Sequence, residues 1–143
     1  MFKTYKMTTK KYLDELTYKI IGCAIEVHKI LGPGLLESVY ERCLIHECRI
    51  SNLDVQSQIK IPLNYKGINL DAELRLDLLI NDLIVVEIKA VETFHPVYEA
   101  QILSYMRLLE MPKGILLNFC SNNIFKDGQK TFVNMHFSNL PDE

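Results

Sequence analysis

The sequence has no excess of either charge: 16 Lys and Arg stand against 18 Asp and Glu, a formal net charge of −2 at pH 7. A protein that lies along many phosphates of a duplex needs clustered Lys and Arg, so this balance argues against a long duplex footprint. It leaves room for a small site at which a metal ion supplies the positive charge. Cys23, Cys43, Cys48 and Cys120 form no C-x-x-C pair, and no His stands at zinc-finger spacing. Reduced, mostly buried thiols are expected rather than a zinc site or a disulfide framework. The opening Met1-Phe-Lys-Thr-Tyr-Lys-Met7 is too polar for a secretory signal, and no apolar run reaches the length of a membrane span. The expected location is therefore cytoplasmic, without a membrane partner. With 143 residues, 48% of them hydrophobic and 24% charged, the expectation is one globular domain over 1–143.

What is present centres on Asp77-Leu-Leu-Ile-Asn-Asp-Leu-Ile-Val-Val-Glu87-Ile-Lys89. β-branched residues on either side of the polar Asn81-Asp82 break read as an antiparallel hairpin. Charge on half-buried strands must be paired, bind a metal or shift its pKa. Alternation puts Val85, Glu87 and Lys89 on one face and Ile84, Val86 and Ile88 on the other. A two-residue turn would set Asp77 opposite Val86. Bringing Asp77 opposite Glu87 requires a three-residue connection or a bulge, and one of these is predicted. Two carboxylates beside a lysine, with the Ile88 carbonyl between them, suit a hard divalent cation such as Mg²⁺. Such an ion activates water and stabilises in-line attack on phosphorus. A bare Glu-x-Lys is more often a cross-strand pair on a solvated face.

Around the hairpin, Leu13, Leu16, Ile20, Cys23/Ala24, Val27 and Ile30/Leu31 recur at helical spacing from Thr9 to Leu31, with Thr8 or Thr9 as N-cap and Gly32-Pro33-Gly34 as stop. His28 in the last turn reads as a packed or capping histidine. A second helix is expected over 35–50, with Val39, Tyr40, Cys43, Leu44 and Cys48 as its apolar stripe. Glu37 lies at its positive end, which alone accounts for an acid there; Glu37 and Tyr40, three residues apart, also project together. Spacing leaves both readings open. Asn52 to Tyr65 reads as a strand with Pro62 at an edge or bulge, and Lys66-Gly67 as a turn. A helix over 91–110 carries Tyr98, Gln101 and Tyr105 on one stripe, either as its polar edge or as an amide aimed at a phosphate with a supporting phenol. A buried strand, 115–119, follows through a right-handed parallel crossover. A polar loop over 121–130 and a final strand over 131–137 close the chain.

Together these residues carry a pattern that resembles the GxxExxY family of the PD-(D/E)XK, or restriction-endonuclease-like, nuclease superfamily. Gly34-Leu-Leu-Glu37-Ser-Val-Tyr40 is the naming motif, preceded by Glu26-Val-His28 and Leu31-Gly-Pro-Gly34. Arg75-Leu-Asp77-Leu-Leu, Val86-Glu87-Ile-Lys89-Ala-Val-Glu92 and Gln101-x-x-x-Tyr105 follow in order. The resemblance spans roughly Leu16 to Phe119. Leu76 stands where a smaller residue is usual, and the proline before Asp77 is absent.

The resemblance implies an α/β, restriction-endonuclease-like core: a central mixed β-sheet flanked by α-helices. It makes Asp77 and Glu87 metal ligands with the Ile88 carbonyl, Glu37 a further carboxylate, and Lys89 the catalytic lysine. Gln101, Tyr105 and Tyr40 become substrate-positioning or supporting groups, and Arg75 a phosphate contact or a surface ion pair. The implied activity is a Mg²⁺- or Mn²⁺-dependent nuclease acting on nucleic acid, with DNA the expected substrate. A chain this small would need a second copy, a homodimer, to cover both strands. The alternative is a non-catalytic member of the fold that binds nucleic acid or a protein.

Overall fold

The computed structural model describes residues 8–70 and 73–143. Helix α1 (Lys10–Leu31) begins where the Thr9 hydroxyl accepts the Tyr12 N–H. The carbonyls of Pro141 and Asp142 take up the N–H groups of Lys10 and Lys11, so the chain's last residues close the helix start. It ends at Gly32, whose φ of +70° suits a residue without Cβ. Helix α2 (Glu37–Ile50) follows after a short loop.

The strands are β1 (Val55–Lys60), β2 (Asn64–Tyr65), β3 (Ile68–Asn69), β4 (Arg75–Ile80), β5 (Ile84–Lys89), β6 (Lys113–Asn118) and β7 (Gln129–Val133). Five of them form one sheet in the order β1-β4-β5-β6-β7, and β2-β3 is a separate two-stranded sheet. β5 and β6 are parallel and the other pairs antiparallel, which makes the sheet mixed. Helix α3 (Pro96–Leu109) supplies the crossover between the two parallel strands.

Two apolar layers cover the sheet. Leu13, Leu16, Ile20, Ala24 and Val27 of α1 and Tyr40, Leu44 and Cys48 of α2 pack on Leu78, Ile80, Ile84, Val86, Ile88, Ile115 and Leu117. Ile102, Tyr105, Met106 and Leu109 of α3 pack on Leu76, Leu79, Val85 and Leu116 from the other side. Gly114 permits this approach, since a Cβ there would stand 2.7 Å from the Met106 sulfur. This is an α/β restriction-endonuclease-like fold.

Several boundaries differ from those expected. The strand anticipated from Asn52 to Tyr65 is cut at Lys60, because Pro62 cannot continue the ladder, and resumes as β2. The helix anticipated from Val91 starts only at Pro96, with His95 capping the Val97 N–H. The polar loop after Ser121 holds a short helix, α4 (Ile124–Asp127), capped by Asn123. The last strand stops at Val133, where Asn134 caps another short helix, α5 (Met135–Ser138). Among the described residues no helix is long and apolar enough to cross a membrane.

Candidate active site

The connection between β4 and β5 is the three-residue Asn81-Asp82-Leu83, with φ of 52° at Asn81 and 58° at Asp82. Its register pairs Ile80 with Ile84 and Leu78 with Val86. Asp77 therefore faces Glu87, as a shared site demands. The last rungs of the hairpin are not carbonyl rungs: the Asp77 N–H donates to Glu87 Oε2 at 2.9 Å, and the Ile88 N–H donates to Asp77 Oδ2 at 2.8 Å. Both carboxylates thus sit in the seam between the strands.

The alternation of β4 breaks at the same place, since Leu76 packs under α3 while Leu78 packs under α1 and α2. Opposite Asp77 on β1 lies Gln58, in the left-handed region at φ 52° and flanked by the pairs Ser57–Leu78 and Ile59–Leu76. Both strands turn over there, which points Gln58 Nε2 at Glu41 Oε2 (2.9 Å) and at Asp77 Oδ1 (3.5 Å).

Helix α2 delivers further acids. The exposed Glu37 accepts the Ala90 N–H through Oε2 at 3.1 Å, tying the helix start to the chain just after Lys89. Glu41, one turn on, reaches Gln58. Burial is the main reason the Glu41 carboxyl lies above its usual range; Gln58 opposes that, and Asp77 and Glu37 add to it. Asp77 is also raised, chiefly by burial, against the pull of the Ile88 N–H and Lys89. Glu87 is only 5% exposed. Burial, then the Asp77 charge, push it up to about 8, against the Asp77 N–H and Lys89.

Lys89 is half-buried, and its Nζ stands 4.6 Å from the centroid of the Tyr98 ring. Ring and carboxylates together define where the ammonium rests. Beyond it, Asn118 accepts the N–H groups of Val91 and Cys120 and donates to the Val91 carbonyl, which fixes the chain leaving β5. Tyr105 is buried under α3. Burial raises its phenol, Glu87 and Asp77 raise it further, and a hydrogen bond with the exposed Gln101 opposes them.

Tyr40 stands elsewhere, and Arg75 lies at the surface two residues before Asp77. Tyr40 is fully buried, stacked on Phe119 with centroids 4.6 Å apart. Its hydroxyl donates to the Gly32 carbonyl and accepts the Leu35 N–H, so it clamps the loop that launches Glu37 instead of facing the hairpin. Arg75 is exposed at the start of β4, opposite Lys60. His28 contacts the Ser121 carbonyl at 2.8 Å, a packing role.

A family model described as the PD-(D/E)XK nuclease superfamily matches residues 14–132. The chain belongs to that superfamily. Neither a curated protein nor a solved structure matches it. Glu87-Ile-Lys89 has the Glu-x-Lys spelling of the superfamily's name, and Asp77 is the acid that faces it across the hairpin. The residues that sequence reading missed are Glu41, Gln58 and Tyr98 as the rest of Lys89. Glu41 was within reach, being four residues after Glu37 and so on the same helical face.

PD-(D/E)XK nucleases typically use a divalent metal, and the donor set fits one. Mg²⁺ and Mn²⁺ take oxygen ligands and keep several waters, so two carboxylates and a carbonyl suffice. Asp77, Glu87 and Ile88 offer these, and a cation would relieve the burial of like charges that keeps a proton on Glu87. Among the described residues no group of three or more His, Cys, Asp or Glu side chains is placed to hold a metal ion, so beyond the two carboxylates and the carbonyl the shell would be completed by water or substrate oxygen.

Proposed function

We propose that this chain, a single domain over 1–143 of the GxxExxY type, is a Mg²⁺- or Mn²⁺-dependent nuclease that hydrolyses phosphodiester bonds in DNA. The observation that carries the reading is the seam where Asp77 and Glu87 share the hairpin's end beside Lys89. Asp77, Glu87 and the Ile88 carbonyl would hold the ion, which would supply a Lewis acid and a more acidic water, and Glu37 would join them only by giving up the Ala90 N–H. Lys89 orients the attacking water and balances charge developing on phosphorus. Gln101 donates to a phosphate oxygen, with Tyr105 supporting its amide. Arg75, exposed beside the seam, meets a flanking phosphate. Tyr40 supports Glu37 through the loop. A second copy would serve the other strand of a duplex.

The test is cleavage of single-stranded, duplex and flapped DNA, and of RNA, with Mg²⁺ or Mn²⁺ and with EDTA. Turnover that survives EDTA, or full turnover in Lys89→Ala, would overturn the reading. One observation favours a non-catalytic nucleic-acid- or protein-binding member instead: the Asp77 and Glu87 carboxylates already accept backbone N–H groups. Calorimetry with Mn²⁺ separates the two, because that rival expects no binding, or binding that Asp77→Ala leaves unchanged.

A further inference from the structure

The ribbon that runs from β1 into β4 does not stop at the sheet. Past the Lys60–Arg75 pair, the Ile61 N–H bonds the Leu74 carbonyl at 3.1 Å and the Leu70 N–H bonds the Leu63 carbonyl at 2.8 Å. Beyond these the ribbon ends in the small β2–β3 sheet, with Asn64 paired to Asn69 and Tyr65 to Ile68. The tip is Lys66-Gly67, φ 48° and 94°, braced by the Gly67 N–H on Asn64 Oδ1 at 3.0 Å.

The hairpin lies at the active end of the molecule. It leaves from the N-terminal end of β4, and because β5 runs antiparallel to β4, the C-terminal end of β5 with Glu87 and Lys89 is at the same edge. From Gln58, level with Asp77, to Tyr65 is seven residues, a reach of about 20 Å or roughly six nucleotides of stacked strand.

Its surface pairs two open apolar side chains. Tyr65 and Ile68 are each 58% exposed. Their cross-strand pairing helps the turn to form, but it leaves most of both side chains in water. Lys66 Nζ lies 5.4 Å from the Tyr65 ring centroid. The exposed charges of the ribbon beyond Asp77, at described positions, are Lys60, Lys66 and Arg75 against Glu73. An aromatic ring with open surface, cations beside it and an acidic cutting edge at its base match a strand that presents free base faces and phosphates. A closed duplex presents base faces only at its ends.

We propose that hairpin 64–69 is a stacking platform for unpaired nucleic acid, with Tyr65 and Ile68 holding a base while Lys60, Lys66 and Arg75 meet phosphates on the way to the Asp77–Glu87 edge. This rests on the nuclease reading and names the substrate form: a single strand, or a duplex end that has been splayed. Anisotropy of a labelled single-stranded oligonucleotide of about 20 nucleotides, long enough to span the ribbon, tests it against a blunt duplex, with Ca²⁺ in place of Mg²⁺. Tyr65→Ala should weaken single-strand binding by about five- to a hundredfold, Tyr65→Phe should leave it near wild type, and neither should alter duplex binding. A 2-aminopurine in the strand should lose its quenching in Tyr65→Ala, and Lys66→Glu should flatten the salt dependence. Unchanged single-strand affinity in Tyr65→Ala, or an equal loss for duplex, overturns the platform even if the wild-type protein cuts DNA. Failure of the wild-type protein to bind any nucleic acid overturns the platform and the nuclease reading together.

Discussion

Asp77 and Glu87 face each other across the hairpin, yet what joins them is a backbone N–H bound to a carboxylate, Asp77 N to Glu87 Oε2 at 2.9 Å. The ladder has been opened, and acids have taken the place of carbonyls. A carboxyl group held in a strand seam is desolvated, and Glu87 responds by holding its proton up to about pH 8, which makes the ionised edge costly.

That cost predicts a pH dependence. Glu87 titrates near 8 in the folded protein against an ordinary 4.5, so between those values the folded state keeps a proton that the unfolded chain has released. Stability therefore falls as pH rises through this window and is flat above it. Asp77, Glu41 and Lys89 face the group and share in the balance. Glu87→Gln should match wild type near pH 4 and exceed it by on the order of a few kcal/mol near pH 9, while losing activity. Thermal melts across pH check this; a variant less stable than wild type at high pH would contradict it.

Lys89 rests on Tyr98. Lys89→Ala should cut kcat by roughly a hundred- to a thousandfold if its ammonium stabilises developing charge. Tyr98→Leu frees the lysine without removing it. A fall in kcat of about fivefold at little change in KM is expected, consistent with loss of a cation–π contact of about 1 kcal/mol, and Tyr98→Phe should restore the rate. Steady-state kinetics of the three variants decide the matter.

Gln58 combines a left-handed backbone with two hydrogen bonds to acids. Gln58→Gly relieves the backbone and Gln58→Ala does not, so the glycine variant should be more stable than the alanine variant by about 1 kcal/mol. Both should lose activity alike, since both remove the amide that holds Glu41 and Asp77 together. Chemical denaturation and single-turnover cleavage provide the two readouts.

Tyr40→Phe keeps the stack on Phe119 but strands the Leu35 N–H and the Gly32 carbonyl. The expected loss of stability is about 1–3 kcal/mol. Activity should fall less than in Glu37→Gln, because Tyr40 acts only through the loop that carries Glu37. Equal losses in the two variants would place Tyr40 in contact with substrate instead.

Much of this protein was legible from residue order. The period of α1, its Gly32 stop and a threonine cap at 8 or 9 follow from local rules of spacing, and the opposition of Asp77 to Glu87 required either a three-residue connection or a bulge, of which the structure takes the first. The tertiary structure alone decided what depends on elements far apart in sequence. Gln58 meets Glu41 and Asp77 only because β1 and β4 turn over together, and a reading built on regular alternation has no way to register that. Tyr98 comes beneath Lys89 only once α3 has docked on the sheet. Tyr40 goes to the core because α2 presses it onto Phe119, although its spacing from Glu37 would equally have suited the site. Helical or strand periodicity fixes the face a side chain takes; packing fixes what that face meets.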